Sequence, residues 1–267
     1  MKIKDRQKAF LIGPFVGELS WEFYRFAPYI IKLKKENPTS LFIIFTRFSR
    51  FDLYGKYANV FVPLRVSGEK FIENGFGLNG LTRKKYEKIA LKFYSRYAKR
   101  FNVISHIYPR VASWRRRIKW QFPRDQMNFD FRPRDLNEKV VLSFIRGEEK
   151  IVLINSEYDY QDIESIRERG FIPIFEDLFH DYIFKRLPEE TGFTFVGCLI
   201  ELIKKCEFMI GNSDLPSTRL SLLLKTPVIS VNEKATEDEI NLLNPLDTPL
   251  IRCSNIEEGC EQYENYI

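Results

Sequence analysis

The sequence is poor in the residues that most metal and redox chemistry uses. Its 267 residues include two histidines, His106 and His180, and four cysteines, Cys198, Cys206, Cys253 and Cys260. Two histidines without HxH or HxxE spacing cannot build a histidine metal cluster, which excludes zinc hydrolases and most metal oxygenases. The cysteines lack CxxC spacing and all lie in the last quarter of the chain. They form neither a disulfide framework nor a zinc site, and read as ordinary thiols of a reducing compartment. No GxSxG surrounds a serine nucleophile, and no DxD motif offers metal ligands. No apolar run approaches the ~18 residues of a membrane-spanning helix. The apolar run near the start, Ala9–Ile12, is too short for a signal-peptide core. The expected location is therefore the cytoplasm, free or peripheral at an anionic membrane surface. What is present is 44% hydrophobic and 29% charged residues, the composition of a packed globular protein with one large or two small domains.

The charge is unevenly spread. Residues 1–135 carry 29 Lys and Arg against 11 Asp and Glu, a balance of +18; residues 136–267 carry 13 against 25, a balance of −12. We read two domains, 1–135 and 136–267. The basic half faces a polyanion, or is drawn to its own acidic partner half. Positive charge peaks at 110–124, where Arg110, Arg115, Arg116, Arg117, Lys119 and Arg124 interleave with Trp114, Trp120 and Phe122. That mixture suits phosphate contact with base stacking, or an anionic membrane surface. A solvated amphipathic helix has the same composition.

Apolar runs and turn residues set the organisation. Ala9–Ile12 reads as a short buried strand that stops at Gly13-Pro14. A helix follows with Ser20 as its N-cap candidate: Phe23, Phe26, Ala27, Ile30, Ile31 and Leu33 approximate helical spacing to Lys35, and Asn37-Pro38 ends it. Leu41–Phe45 is a second buried strand. Strand, glycine-containing loop, helix and strand make one βαβ unit, which implies a parallel sheet with that loop at its carboxyl edge. Val60–Leu64 reads as a third strand, 65–81 as a loop, Lys84–Arg100 as a basic helix, and 121–138 as a linker. The second half repeats the alternation, with strands at Val140–Ile145, Ile151–Ile154, Phe171–Phe175, Glu207–Ile210 and Val228–Val231. Helices fall at Tyr160–Arg169, Cys198–Lys205 and Leu220–Leu224. The expected fold is α/β, with two Rossmann-like parallel-sheet domains facing a cleft.

The densest local signal runs from Phe208 to Val231. A buried strand empties into Gly211-Asn212-Ser213-Asp214, and a helix begins near Pro216, where a missing N–H costs nothing. Ser217 and Thr218 then place hydroxyls beside free backbone N–H groups at the positive end of the helix dipole, an arrangement that binds anions. Arg219 adds a planar fork suited to phosphate. An N-cap cluster serving only the helix would look the same.

This run resembles the C-terminal domain of GT-B glycosyltransferases, most closely the heptosyltransferase-type family, which carries I-G-N-D-S-G-P-x-H-x-A, a helix and then G-K-P. Gly211, Asn212, Pro227, Val228 and Ile229 fit; Asp214 falls near the family's Asp; Arg219 stands where the family has His. Arg at that place is also similar to the GT-B pyruvyltransferases, whose spacing to the proline is longer. The resemblance implies a glycosyltransferase that takes a nucleotide-sugar as co-substrate, with no permanently bound cofactor and no metal. Its donor site is expected at Arg146, Asn155, Gly211, Asn212, Ser213, Asp214, Ser217, Thr218, Arg219 and Glu233, the second-half strand ends and the helix start. Arg146 and Arg219 would carry the diphosphate charge that develops as the bond breaks. In such enzymes the loop after the first strand faces the acceptor. Glu18 is then the candidate general base on an acceptor hydroxyl, with Gly17, Ser20, Trp21 and Glu22 beside it and Arg115, Arg116 and Arg117 on a polyanionic acceptor. That acceptor would be a nucleic acid or a membrane-associated, lipopolysaccharide-type glycan. A non-catalytic nucleic-acid-binding protein on the same fold stays open.

Overall fold

The computed structural model describes residues 7–15, 19–64, 80–107, 126–147, 149–155, 160–186, 193–213 and 215–266. The expected loop at 65–81 falls almost wholly outside them, and so does the basic cluster at 110–124. The chain divides into two units, Met1–Arg134 and Asp135–Ile267.

The first unit is built on four parallel strands in the order β3-β2-β1-β4: β1 (Lys8–Ile12), β2 (Leu41–Thr46), β3 (Val60–Pro63) and β4 (Asn102–Ile107). β1 and β2 are apolar runs because a parallel sheet covered on both faces has no solvent side; Leu11, Ile12, Phe42, Ile43, Ile44 and Phe45 are all fully buried. The helix after β1 starts as α1 (Leu19–Trp21), widens into a π turn (Glu22–Phe26) and continues as α2 (Ala27–Glu36). The Ala27 N–H bonds the Glu22 carbonyl in the wide turn. Pro28 has no N–H to continue an ordinary ladder, so α2 restarts with proline in its first turn. After β2, a short α3 (Phe51–Tyr54) precedes β3. α4 (Gly80–Ala98) lays Ile89, Phe93, Tyr94 and Tyr97 on Ala9, Leu11, Ile43 and Phe45 of the sheet. β4 escapes sequence reading. As an edge strand it reads NVISHI, with most of its residues half-buried or exposed rather than a continuous apolar run.

The described end of the expected linker is pinned rather than loose. Phe131 is buried, and Asp130 is gripped by Lys35 at 2.7 Å and by the Tyr57 hydroxyl at 2.7 Å. Arg134 clamps Asp52 through Nε and Nη2, each at 2.8 Å.

The second unit holds five parallel strands in the order β6-β5-β7-β8-β9: β5 (Ile151–Asn155), β6 (Ile172–Phe175), β7 (Cys206–Gly211), β8 (Val228–Val231) and β9 (Leu250–Cys253). The expected strand at Val140–Ile145 is instead the end of a helix, α5 (Asp135–Ile145). Its buried residues Asn137, Val141 and Ile145 recur every four positions, a helical period that the β-branched Val140-Val141 pair disguises. The remaining helices are α6 (Tyr160–Glu168), α7 (Glu176–Arg186), α8 (Phe195–Ile203), α9 (Pro216–Leu224), α10 (Glu237–Leu243) and α11 (Ile256–Tyr266). α7, α10, β9 and α11 lie outside the sequence reading. α10 begins in a capping box between Thr236 and Glu239, and α11 packs Ile256, Cys260 and Tyr263 on the sheet core.

Both sheets reverse their strand order beside their first strand. The reversal falls between β1 and β4 in one and between β5 and β7 in the other. In open α/β sheets the crevice outside the carboxyl ends of such strands takes ligands.

Candidate functional site

In the second unit this edge is built by Asn155, Glu176, Gly211 to Ser213, and the start of α9. Parallel register sets Asn155 directly beside Gly211, at the ends of β5 and β7. α9 opens on Pro216 after an extended Leu215, and no side chain caps it. Ser217 and Thr218 are nevertheless buried. The Asn155 amide donates to the Ser217 hydroxyl, and Ser217 is hydrogen-bonded in turn to Glu176. Asn155, Ser217 and Glu176 thus form one chain across the strand ends.

Glu176 belongs to this strand-end cluster and was not singled out by the sequence. It follows β6 directly, about twenty residues after Asn155, where related α/β folds carry an acid for a ribose hydroxyl. The available signal was an acid immediately behind an apolar run. Burial pushes its carboxyl up to about 7, against the opposing Ser217 hydrogen bond and with help from Asp177. Its Oε2 is out of contact with solvent and has no hydrogen-bond partner, and the same holds for the Thr218 hydroxyl. A buried oxygen without a partner costs about 1–3 kcal/mol, so these two are sites where a bound hydroxyl or amide would be stabilising. Gly211 is needed here for space: a Cβ on it would stand 2.6 Å from the Thr218 Oγ1.

Glu233 and Arg219 hold the loop from its two sides. The Glu233 carboxylate accepts the Ser213 N–H at 2.9 Å, the Ser230 hydroxyl at 2.8 Å and the Ala235 N–H at 2.8 Å. Desolvation raises its pKa, but the bonds from Ala235, Ser213 and Ser230 outweigh that and hold it below the usual range. From the other side, Arg219 Nε donates to the Ser213 carbonyl at 2.7 Å. Ser213 is buried in this clamp, whereas Asn212 is exposed. Asp214 lies outside the described residues.

Arg146 does not join this group. Because 140–145 is helical, Arg146 ends α5, exposed and with a left-handed backbone (φ 53°), at the amino edge of the sheet. The length of β5, roughly 16 Å at ~3.3 Å per residue, separates that edge from Asn155. Arg146 and Arg219, expected to share a diphosphate, are therefore not brought together at this edge.

In the first unit, Gly17 and Glu18 lie outside the described residues, as do Arg115, Arg116 and Arg117. The turn before them is sharply defined. Gly13 (φ 86°) donates its N–H to the Ile107 carbonyl at 2.7 Å, and the Tyr94 hydroxyl donates to the Gly13 carbonyl. A Cβ on Gly13 would sit 2.3 Å from the Phe45 carbonyl oxygen. Ser20 and Trp21 are half-buried on α1. Glu22, expected to face an acceptor, is fully buried instead. It accepts Arg50 Nη1 at 2.8 Å and the Tyr54 hydroxyl at 2.6 Å. Burial raises its pKa, opposed by the charges of Arg50 and Arg47. Arg47 is buried as well. Glu22 is thus the counter-charge of a buried arginine pair, which ties the π turn to α3.

Among the described residues no group of three or more His, Cys, Asp or Glu could hold a metal ion, and no helix is long and apolar enough to cross a membrane.

No family model and no curated protein matches the chain. Solved structures do. An Escherichia coli ADP-heptose LPS heptosyltransferase II matches at 10% identity and TM-score 0.55, over 97% of this chain and 98% of that one. A glycosyl transferase family 9 protein from Veillonella parvula matches at 12% identity and TM-score 0.48, over 100% and 93%. The E. coli heptosyltransferase WaaC with ADP matches at 9% identity and TM-score 0.48, over 97% and 99%. Two all-parallel sheets with their helices, matched along nearly the whole chain by heptosyltransferase II, give this protein a GT-B, heptosyltransferase-like α/β fold.

Proposed function

We propose that the protein is a nucleotide-sugar-dependent glycosyltransferase whose donor binds at the carboxyl edge of the second sheet. The observation that carries this is a pair of buried oxygens without partners, Glu176 Oε2 and Thr218 Oγ1, beside the uncapped start of α9. A nucleotide-sugar has what that edge lacks. Its diphosphate suits the first-turn N–H groups of α9 and the positive end of the helix dipole. Its hydroxyls suit Glu176 and Thr218. The Glu233 and Arg219 clamp keeps the Gly211-Asn212-Ser213 turn in place for this contact.

Negative charge grows on the diphosphate as the glycosidic bond breaks. Fixed backbone donors stabilise it without reorganisation, so the transfer needs no metal in this reading. Glu18, in the loop after β1, takes the proton of the acceptor hydroxyl. The acceptor is rich in phosphate, which the +18 balance of residues 1–135 would attract.

A thermal-shift series with nucleoside diphosphates and nucleotide-sugars tests this, ADP-heptose first because the heptosyltransferase of like fold is named for it. A true donor raises the melting temperature, and incubation with acceptor releases the nucleoside diphosphate. Consumption of phosphoenolpyruvate instead would indicate pyruvyl transfer. Steeply salt-dependent nucleic-acid binding without nucleotide binding would make the protein a non-catalytic binder.

A further inference from the structure

α4 of the first unit has two unlike faces. The inner face of the helix is occupied by the sheet, which takes Ile89, Phe93, Tyr94 and Tyr97. On the outside, Lys88, Leu91, Lys92, Arg96 and Arg100 are all exposed. Lys88, Lys92 and Arg96 recur every four residues along α4, which stacks them into one ridge roughly 12 Å long, and Arg100 follows in the turn after the helix. α4 as a whole carries six Lys and Arg against one acid, Glu87. Among the described residues, neither Lys88, Lys92 nor Arg100 is engaged in an ion pair. Leu91 stands 55% exposed along the same ridge, and Ile104 of the neighbouring edge strand 48% exposed.

We propose that this face of α4 docks on an anionic membrane surface. Charge complementarity is direct: a strongly basic helix meets a plane of lipid phosphates, and each Lys or Arg near such a surface is worth roughly fivefold in partitioning. The helix is already fixed on its sheet, so it need not fold in order to bind. Leu91, unfavourable in water, reaches the boundary between headgroups and acyl chains. Nucleic acid fits this face less well. Stacking on bases requires exposed aromatic rings, and here Phe93, Tyr94 and Tyr97 are turned into the core. Docking in this way deepens the acceptor side of the proposed function by presenting the enzyme to a membrane-borne glycan. The adsorption assay involves no sugar transfer, so either inference can fail without the other.

The experiment is co-sedimentation of the full chain with vesicles of phosphatidylcholine alone and of phosphatidylcholine with about one third phosphatidylglycerol. Wild type should sediment with the anionic vesicles only, and release in high salt, where charges beyond a few ångströms are screened. The variant Lys88→Gln/Lys92→Gln/Arg100→Gln should partition roughly a hundredfold more weakly, with an unchanged melting temperature as evidence of folding. Leu91→Ser should weaken binding severalfold at full charge. The proposal is overturned if wild type ignores anionic vesicles, or if the triple variant binds like wild type. It is also overturned if the ridge supports binding of RNA or DNA but not of vesicles.

Discussion

At pH 8 the wild-type protein carries an ionised carboxylate at Glu176, in a place that disfavours the charge. Burial raises its pKa from 4.5 to about 7. Below pH 4.5 the group is protonated in both the folded and the unfolded chain, and it costs nothing. As pH rises from 4.5 to 7 the unfolded chain ionises first, so stability falls. Above pH 7 the loss is complete, roughly 3 kcal/mol at about 1.4 kcal/mol for each pH unit. Glutamine keeps the shape and cannot ionise. Glu176→Gln should therefore match wild type within about 0.5 kcal/mol at pH 4.5 and exceed it by roughly 2–3 kcal/mol at pH 8. Urea unfolding at the two pH values measures this, and subtraction cancels the other titrating groups. The same variant should bind the donor more weakly, the usual exchange of stability for a strained site. A gain of equal size at both pH values, or none at pH 8, would refute the reasoning.

Glu22→Ala removes the carboxylate that faces the buried Arg50 and Arg47, and should destabilise the protein by about 3–5 kcal/mol, the usual cost of breaking a buried pair; thermal unfolding reads it, and a loss below about 1 kcal/mol would show the arginines to be solvated. Gly211→Ala places a methyl against the Thr218 hydroxyl and should cost about 1–3 kcal/mol, with a matching loss of donor-induced thermal shift. Glu18→Gln should abolish nucleoside diphosphate release while leaving donor binding unchanged in a titration; normal turnover would remove Glu18 as the base.

Much of the fold was legible because parallel strands write themselves as apolar runs. Ala9–Ile12, Leu41–Phe45, Ile151–Ile154 and Glu207–Ile210 all fall within strands. The helix at Pro216 was legible from its proline and the glycine loop before it. Where burial is one-sided the runs fail: β4, at a sheet edge, carries polar residues among its apolar ones and went unseen. At Val140–Ile145 residue type misled, since two adjacent valines look like a strand when only every fourth residue is buried.

The candidate site was legible in part. Asn155, Gly211, Ser217 and Thr218 share one sheet edge, because strand ends and helix starts are local features that a linear reading can place. Which polar groups face a ligand is decided by packing across the fold. Glu22 looks like a site residue in the chain, yet it is fully buried against Arg50, 28 positions away, while Glu233 and Arg219 engage Ser213 from positions 20 and 6 residues away. Glu176 looks like any surface acid until β5 and α9 enclose it. The local run of residues determined the strands, turns and helix starts; only the assembled sheet, by burying some charges against partners and leaving the Glu176 Oε2 without any, decided which polar groups are satisfied within the fold.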